Sequence, residues 1–355
     1  MESLLNSALQ YEQEAQMEYE EFNQPKILVV GTGGAGNNSI NRLTQTGIKG
    51  ADTIAINTDN QHLKTINADT KMLIGKNITR GLGSGGYPEV AERCIEIARP
   101  QLEEILKGAD LVFITCGMGG GTGTGTAHVV ADIARKQGAI VVGIVTKPFK
   151  VERARLLRAE EGIEKLRKKA DTVIVINNEK LLEMVPHLPV DKAFGVVDQL
   201  ISEVVKGITE TITLPSLINL DYADVRAIMS NCGVAVMLYG ESSSREPREV
   251  VNEVLRHPLL ELDYTGATGA LFHVTGGTNL SLKCVNEIAK GITNELNPMA
   301  NIILGARIDP SFNERIRVMA IMTGVNSPNV VGPRKENGIL IKNERDLENL
   351  FEMII

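Results

Sequence analysis

Six of the ten residues in GMGGGTGTGT (117–126) are glycine, and the apolar run LVFITC leads straight into them. Glycine loses more conformational entropy on ordering than any other residue, so such density in mid-chain needs a close backbone approach to something. Here the loop stands between a strand-like run and a helix-like one, AHVVADIARK. That order gathers free backbone N–H groups and the positive end of a helix dipole at one spot, which makes an anion site. Thr122 and Thr124 add hydroxyl donors. No G-x-x-x-x-G-K-[ST] occurs anywhere, so the P-loop lysine is excluded.

A second cluster, GTGGAG (31–36), follows the buried-strand run KILVV and precedes the helical start NNSINRL. Gly31, Gly33 and Gly36 fit G-x-G-x-x-G, and the run TIAIN leads to Asn57–Asp59, roughly where a ribose-binding acid stands in dinucleotide folds. Taken alone, this cluster leaves open a nicotinamide dehydrogenase, or a strand–helix turn that binds nothing. Two such loops at neighbouring strand ends suit a polyphosphate held from two sides.

LVFITC, IVVGIVT (140–146) and TVIVIN (172–177) are further short β-branched runs separated by helical segments, with one helical stretch broken at Pro100. That alternation predicts a parallel sheet covered on both faces. Between Pro189 and Pro215, Phe194, Val197, Leu200, Ile201, Val204, Val205 and Ile208 recur at three and four, which predicts one long helix over about 190–212. The second half reads as a smaller α/β unit of about four strands. The expected organisation is an acidic tail (1–24), a nucleotide-binding domain (25–217), a second domain (218–328), and a linker with an amphipathic C-terminal peptide (329–355). In that peptide Leu347, Leu350, Phe351 and Ile354 form one helical stripe.

Composition narrows the partners. A net charge of −7 argues against non-specific binding to nucleic acid or anionic membrane, and 4% aromatics with no Trp argues against base-stacking platforms. Cys94, Cys116, Cys232 and Cys284 form no C-x-x-C pair, so reduced thiols are the simpler reading than a zinc or disulfide framework. The acidic beginning lacks a basic leader and no run approaches the length of a membrane span, so a cytoplasmic location without membrane insertion is expected.

GGGTGTG (119–125) resembles the signature of the tubulin/FtsZ superfamily. Its surroundings are similar to the FtsZ branch, the prokaryotic division GTPases: NTD (57–59), GLGSGGYP (81–88), TKPF (146–149), INNEKLL (176–182), AF…D (193–198) and NLDYAD (219–224). The alanine and paired asparagines of GTGGAGNN look more like an archaeal member. The resemblance implies a Rossmann-like parallel-sheet GTPase domain, a long central helix and a smaller α/β C-terminal domain. It implies GTP or GDP, with Mg²⁺, held by Gly33, Gly34, Ala35, Gly36, Asn37 and Asn38, by Gly83, Ser84 and Gly85, and by Gly119, Gly120, Gly121, Thr122, Gly123, Thr124 and Gly125.

It further places Asp198 against guanine. A carboxylate accepts two bonds from the N1–H and 2-amino edge of guanine, and adenine has no such donor pair. Asn38 and Asn178 can add amide contacts and Phe194 can cover the ring; the alternatives are a solvated Asp198 and a core Phe194. Asn219, Asp221 and Asp224 would orient the attacking water, Asp221 and Asp224 standing three apart at a helix start. Asp221 is also a plausible N-cap. By resemblance this loop, expected at the end of the molecule opposite the glycine loops, completes the site of the next subunit. Such a head-to-tail contact does not close and makes a filament. The same resemblance implies a division ring at mid-cell, with the C-terminal stripe docking a membrane-tethering division protein or else packing on the chain itself.

Two positions depart from the pattern. Relatives show E-x-x-x-R after the PF pair. Here Glu152 is followed four residues on by Leu156, and Arg155 stands one position early, about 100° round a helix. Slower turnover or weaker binding is expected. His128, where relatives carry a small residue or proline, is read as a phosphate sensor or, more simply, a packed histidine. Weak hydrolysis would suit a different filament, for cell shape or DNA segregation.

Overall fold

The computed structural model describes residues 25–213, 222–229, 233–243, 246–255, 267–294 and 296–325, and the backbone of two short paired strands at 334–336 and 339–341. The acidic tail, the expected boundary near residue 217 and the C-terminal stripe lie outside the described residues.

From the amino end come β1 (Ile27–Thr32), α1 (Gly33–Thr46), β2 (Ala51–Asn57), α2 (Asn60–Thr65), β3 (Thr70–Leu73) and α3 (Lys76–Thr79). Then follow α4 (Pro88–Ile97), α5 (Arg99–Leu106), β4 (Leu111–Gly117), α6 (Thr122–Lys136), β5 (Ile140–Lys147), α7 (Arg153–Arg167) and β6 (Thr172–Asn177). Pro100 stands in the first turn of α5, where its missing N–H costs nothing, so the expected break falls at Ala98. After α8 (Glu179–Met184) comes the long helix α9 (Val190–Thr213), then α10 (Tyr222–Met229). The second half adds β7 (Gly233–Ser242), α11 (Pro247–Leu255), β8 (Gly269–Gly276), α12 (Leu282–Thr293), β9 (Asn301–Ile308) and β10 (Ile316–Thr323).

All ten strands join one sheet, ordered β3-β2-β1-β4-β5-β6-β7-β10-β8-β9. The first six are parallel, and β7 continues them through Thr172↔Gly233, Val173↔Val234 and Ile174↔Ala235. The four strands expected for the second half are therefore an extension of the first sheet, joined at the start of β6. Period-two alternation divides the core. Leu28, Val30, Val112 and Ile114 face one side, under α4–α7, α11 and α12. Ile27, Val29, Leu111 and Phe113 face the other, under α1, α9 and α10.

The strand order reverses between β1 and β4. In open parallel sheets the crevice for ligands lies outside the carboxyl ends of the strands at such a switch point. Both glycine clusters begin there, because Thr32 of β1 is in register with Cys116 of β4.

Candidate functional site

A cleft of about 490 Å³ opens at this switch point, lined by both glycine clusters, the 83–86 loop and residues from the starts of α7 and α9. Two helices, α1 and α6, begin on it, and neither has a side-chain cap or an acidic residue in its first turn. Their first N–H groups are thus left to an anion. A Cβ built at Gly34 or Gly120 would meet no protein atom within 4 Å, so internal packing does not demand glycine at these two lining positions, and their bare backbone leaves room for close approach of an anion. Gly33 (φ 71°) and Gly119 (φ 90°) are instead required by the backbone itself.

Not every residue expected to bind the nucleotide lines the cleft. Gly33, Gly34, Ala35, Gly83, Ser84, Gly85, Gly120, Gly121, Thr122 and Gly123 line it; Gly36, Asn37, Asn38, Gly119, Thr124, Gly125 and Asp198 do not. Gly36 packs on the Thr115 carbonyl and Gly125 on that of Pro88, which lets α1 approach β4 and α6 approach α4. Thr124 turns inward and its Oγ1 accepts from Gly119 N at 2.9 Å, pinning the loop from behind. Thr122 Oγ1 stays at the cleft, 2.7 Å from Thr58 Oγ1 and 3.3 Å from Ser84 Oγ. Asn37 is fully buried, its amide nitrogen donating to the carbonyls of Gly31, Gly33 and Ile56.

The other end of the cleft suits a purine. Phe194, 39% exposed, leaves the apolar stripe of α9 and meets Phe149 edge-on at 5.9 Å between ring centres. Asn178 is buried in the lining, and its Oδ1 has no hydrogen-bond partner, an acceptor waiting for a donor. Asp198, one turn beyond Phe194, accepts from Ser39 Oγ at 2.7 Å across the α1–α9 contact. Burial raises its carboxyl above the usual carboxylate range, against the lowering effect of that hydroxyl. Arg155 and Glu152 both line the cleft, joined at 2.6 Å, whereas Leu156 does not.

Some lining residues were given no role from the sequence: Thr32, Asn57, Asp59, Thr146 and Pro148 stood within noted motifs, and His62 carried no signal. Asp59 Oδ1 caps α2, accepting from Gln61 N and His62 N at 2.9 and 3.1 Å. His128 is away from the cleft, its Nε2 3.3 Å from Glu92 Oε1, so the packed reading describes it.

Asn219 and Asp221 lie outside the described residues. Asp224 is in the first turn of α10. That helix is tied to the amino ends of the strands: Tyr222 Oη donates to Asp110 O at 2.8 Å, before β4, and Thr172 Oγ1 of β6 donates to Met229 O at 2.7 Å. The phosphate loop leaves the carboxyl end of β4, and a strand of that length spans about 20 Å. Helix α10, with Asp224 in its first turn, and the cleft thus stand at opposite ends of the sheet.

A model described as the tubulin/FtsZ family GTPase domain matches residues 26–186, and one described as the FtsZ family C-terminal domain matches 233–326. The chain belongs to the FtsZ family. It is 61% identical over 317 residues to cell division protein FtsZ 2 of Methanocaldococcus jannaschii, covering 88% of this chain and 83% of that one. It is 59% identical to FtsZ 2 of Haloferax volcanii, covering 88% and 79%. A solved FtsZ dimer from M. jannaschii superposes with a TM-score of 0.83 at 45% identity, over 92% of this chain and 98% of that one. FtsZ membership removes the dehydrogenase alternative and accounts for both glycine clusters. Among the described residues of this FtsZ-family chain, no helix is long and apolar enough to cross a membrane.

Proposed function

We propose that this chain binds GTP in the switch-point cleft and hydrolyses it only where a second copy stacks its α10 end on that cleft. As an FtsZ-family member it is a GTP-binding, filament-forming cytoskeletal protein of cell division with GTPase activity. What is proposed is the assignment of residues. The N–H groups opening α1 and α6 take the phosphates, with the Thr122 hydroxyl beside them. Phe194 covers the base and Asn178 Oδ1 accepts from its amino edge; Asp198, which bonds Ser39 outside the cleft lining in this structure, supplies the second acceptor when the base is bound. Arg155 stands in for the arginine absent at Leu156; as an exposed side chain it turns from Glu152 to an anion at little cost.

Among the described residues no cluster of three acids, histidines or cysteines is placed to hold a metal by itself. A Mg²⁺ ion would find one protein oxygen at the cleft in the Thr122 hydroxyl, which fits an ion that keeps several waters and seldom needs a protein cage. When bound it spreads the charge that builds on the phosphate oxygens. Asp224, with Asn219 and Asp221, polarises and aligns the attacking water.

The observation carrying this reading is the tether of α10 at the end of β4 remote from the phosphate loop. No acid of that helix reaches a triphosphate in its own subunit. Complementation tests it. Gly34→Val removes the phosphate cradle, and Asp224→Ala removes the water-orienting acid. Each is inactive alone, and their mixture regains GTPase activity, because one supplies the cleft and the other the acid. A mixture as inactive as its components would overturn the assignment.

For the C-terminal stripe we propose docking to a membrane-tethering division protein, which would bring the filament to a mid-cell ring. Deleting residues 344–355 should leave GTPase activity intact and abolish recruitment to the membrane; unchanged recruitment rejects it.

A further inference from the structure

We infer that His62 is a positioning residue for nucleotide recognition: it fixes the amide of Asn38 so that only its NH₂ group is presented to the nucleoside. The inference rests on the cleft being the nucleotide site.

It starts from a chain of hydrogen bonds whose polarity is set at its buried end. The Asn37 nitrogen donates to Gly31 O (2.8 Å), Gly33 O and Ile56 O, leaving its oxygen to accept from Asn57 Nδ2 at 3.0 Å. Asn57 cannot turn over, because its Oδ1 already accepts from Thr58 N at 2.9 Å and Asp59 N at 3.2 Å. Its second N–H points to His62 Nδ1 at 3.3 Å. Nδ1 is therefore the acceptor, and the ring carries its proton on Nε2. Nε2–H in turn donates to Asn38 Oδ1 at 3.0 Å.

With its oxygen engaged, Asn38 faces outward with donors alone. None of the described residues accepts from them. Asn38 is exposed and, though it is not in the cleft lining itself, it stands one helical turn beyond Gly34, which is, so both occupy one face of α1. His62 lines the cleft as well. Without the imidazole, the Asn38 amide would be as ready to offer its oxygen as its nitrogen. With it, the position selects an acceptor: a purine ring nitrogen or a ribose oxygen. This complements Asn178 and Asp198, which offer acceptors to the amino edge of the base.

The test is calorimetric titration of the nucleotide-free chain with GDP, 7-deaza-GDP, 3-deaza-GDP and 2′-deoxy-GDP. The parent should lose about five- to tenfold in affinity for the one analogue lacking the acceptor Asn38 reads. His62→Leu should lose a similar factor on GDP and nothing further on that analogue, the pairwise coupling of a double-mutant cycle. His62→Gln, whose amide can accept and donate in the same order, should recover most of it. Asn38→Asp, which puts a carboxylate oxygen where the NH₂ stood, should lose more than tenfold on GDP and carries the test if His62→Leu does not fold. GDP affinity unchanged in His62→Leu, or a loss that adds independently to that of every analogue, overturns the role of His62. Failure of the parent chain to bind GDP at all overturns the cleft assignment, and this inference with it.

Discussion

Asp198 carries a conflict between stability and binding. Its carboxyl is buried with a single hydroxyl donor, and burial raises its affinity for protons above that of an exposed carboxylate. A folded-state value above the unfolded one means that ionised Asp198 costs the empty fold stability at neutral pH. Asp198→Asn should therefore leave the nucleotide-free protein as stable or more so by thermal unfolding, while weakening GDP binding on the order of ten- to a hundredfold. In the proposed assignment the base takes the ionised form, so parent affinity should fall as pH drops through the raised value, and that dependence should vanish in Asp198→Asn. Gly34→Val makes the reverse case. A Cβ there has no protein atom within 4 Å, so the empty fold should melt within a few degrees of the parent while GDP binding is lost. Arg155→Ala should weaken GTP binding roughly tenfold; an unchanged dissociation constant would remove Arg155 from the site.

At the scale of elements, α6 both opens the phosphate site and anchors its neighbours. Burial alone would raise Asp132 on this helix, but Lys136 (2.7 Å) and Lys169 (2.9 Å) hold it at about 2, with Arg99 at 3.6 Å. The depressed value contributes stability that is present above the ordinary carboxylate pKa and lost as pH falls toward about 2. Lys136 is mostly exposed and Lys169 nearly half so, and the contribution is discounted to roughly 1–2 kcal/mol. Urea unfolding of Asp132→Asn should show that deficit at pH 7 and none near pH 2. The long helix α9 makes a different link. Val197, Leu200, Ile201, Val204, Val205 and Ile208 bury one stripe on the sheet, while Arg317 reaches Glu203 at 3.0 Å and Arg307 reaches Glu210 at 3.1 Å. The helix that presents Phe194 to the cleft is thereby joined to strands of the second half.

For the molecule as a whole, the decisive quantity is the length of the parallel sheet. Its carboxyl end holds the cleft and its amino end holds α10, so the chain is polar and its two ends are complementary rather than alike. GTPase activity per molecule should rise with protein concentration and reach a plateau as filaments form. A flat profile would count against a shared site. Asp224→Ala should bind GTP and still scatter light on assembly, giving filaments that outlast those of the parent.

The strands, the long helix and the two glycine loops were legible in the residues because local patterns suffice for them: period two, period 3.6, and glycine where no side chain is tolerated. The anion chemistry followed from the same signs, and the choice of guanine from one carboxylate placed by resemblance. What only the tertiary structure decided is which of several adjacent polar groups faces the ligand. Thr122 and Thr124 are alike in sequence, yet one meets the cleft and the other pins the loop; Asn37 goes inward beside an outward Asn38; Arg155 lines the cleft and Leu156 does not. His62 carried no signal at all, since its role depends on the order of donors in a buried network. The separation of Asp224 from the glycine loops, by contrast, was expected from the sequence, because the long helix stands between them, and the tether of α10 to the amino ends of the strands agrees with it. A local pattern states which face of an element is apolar, but neighbours from distant segments determine what each polar face meets.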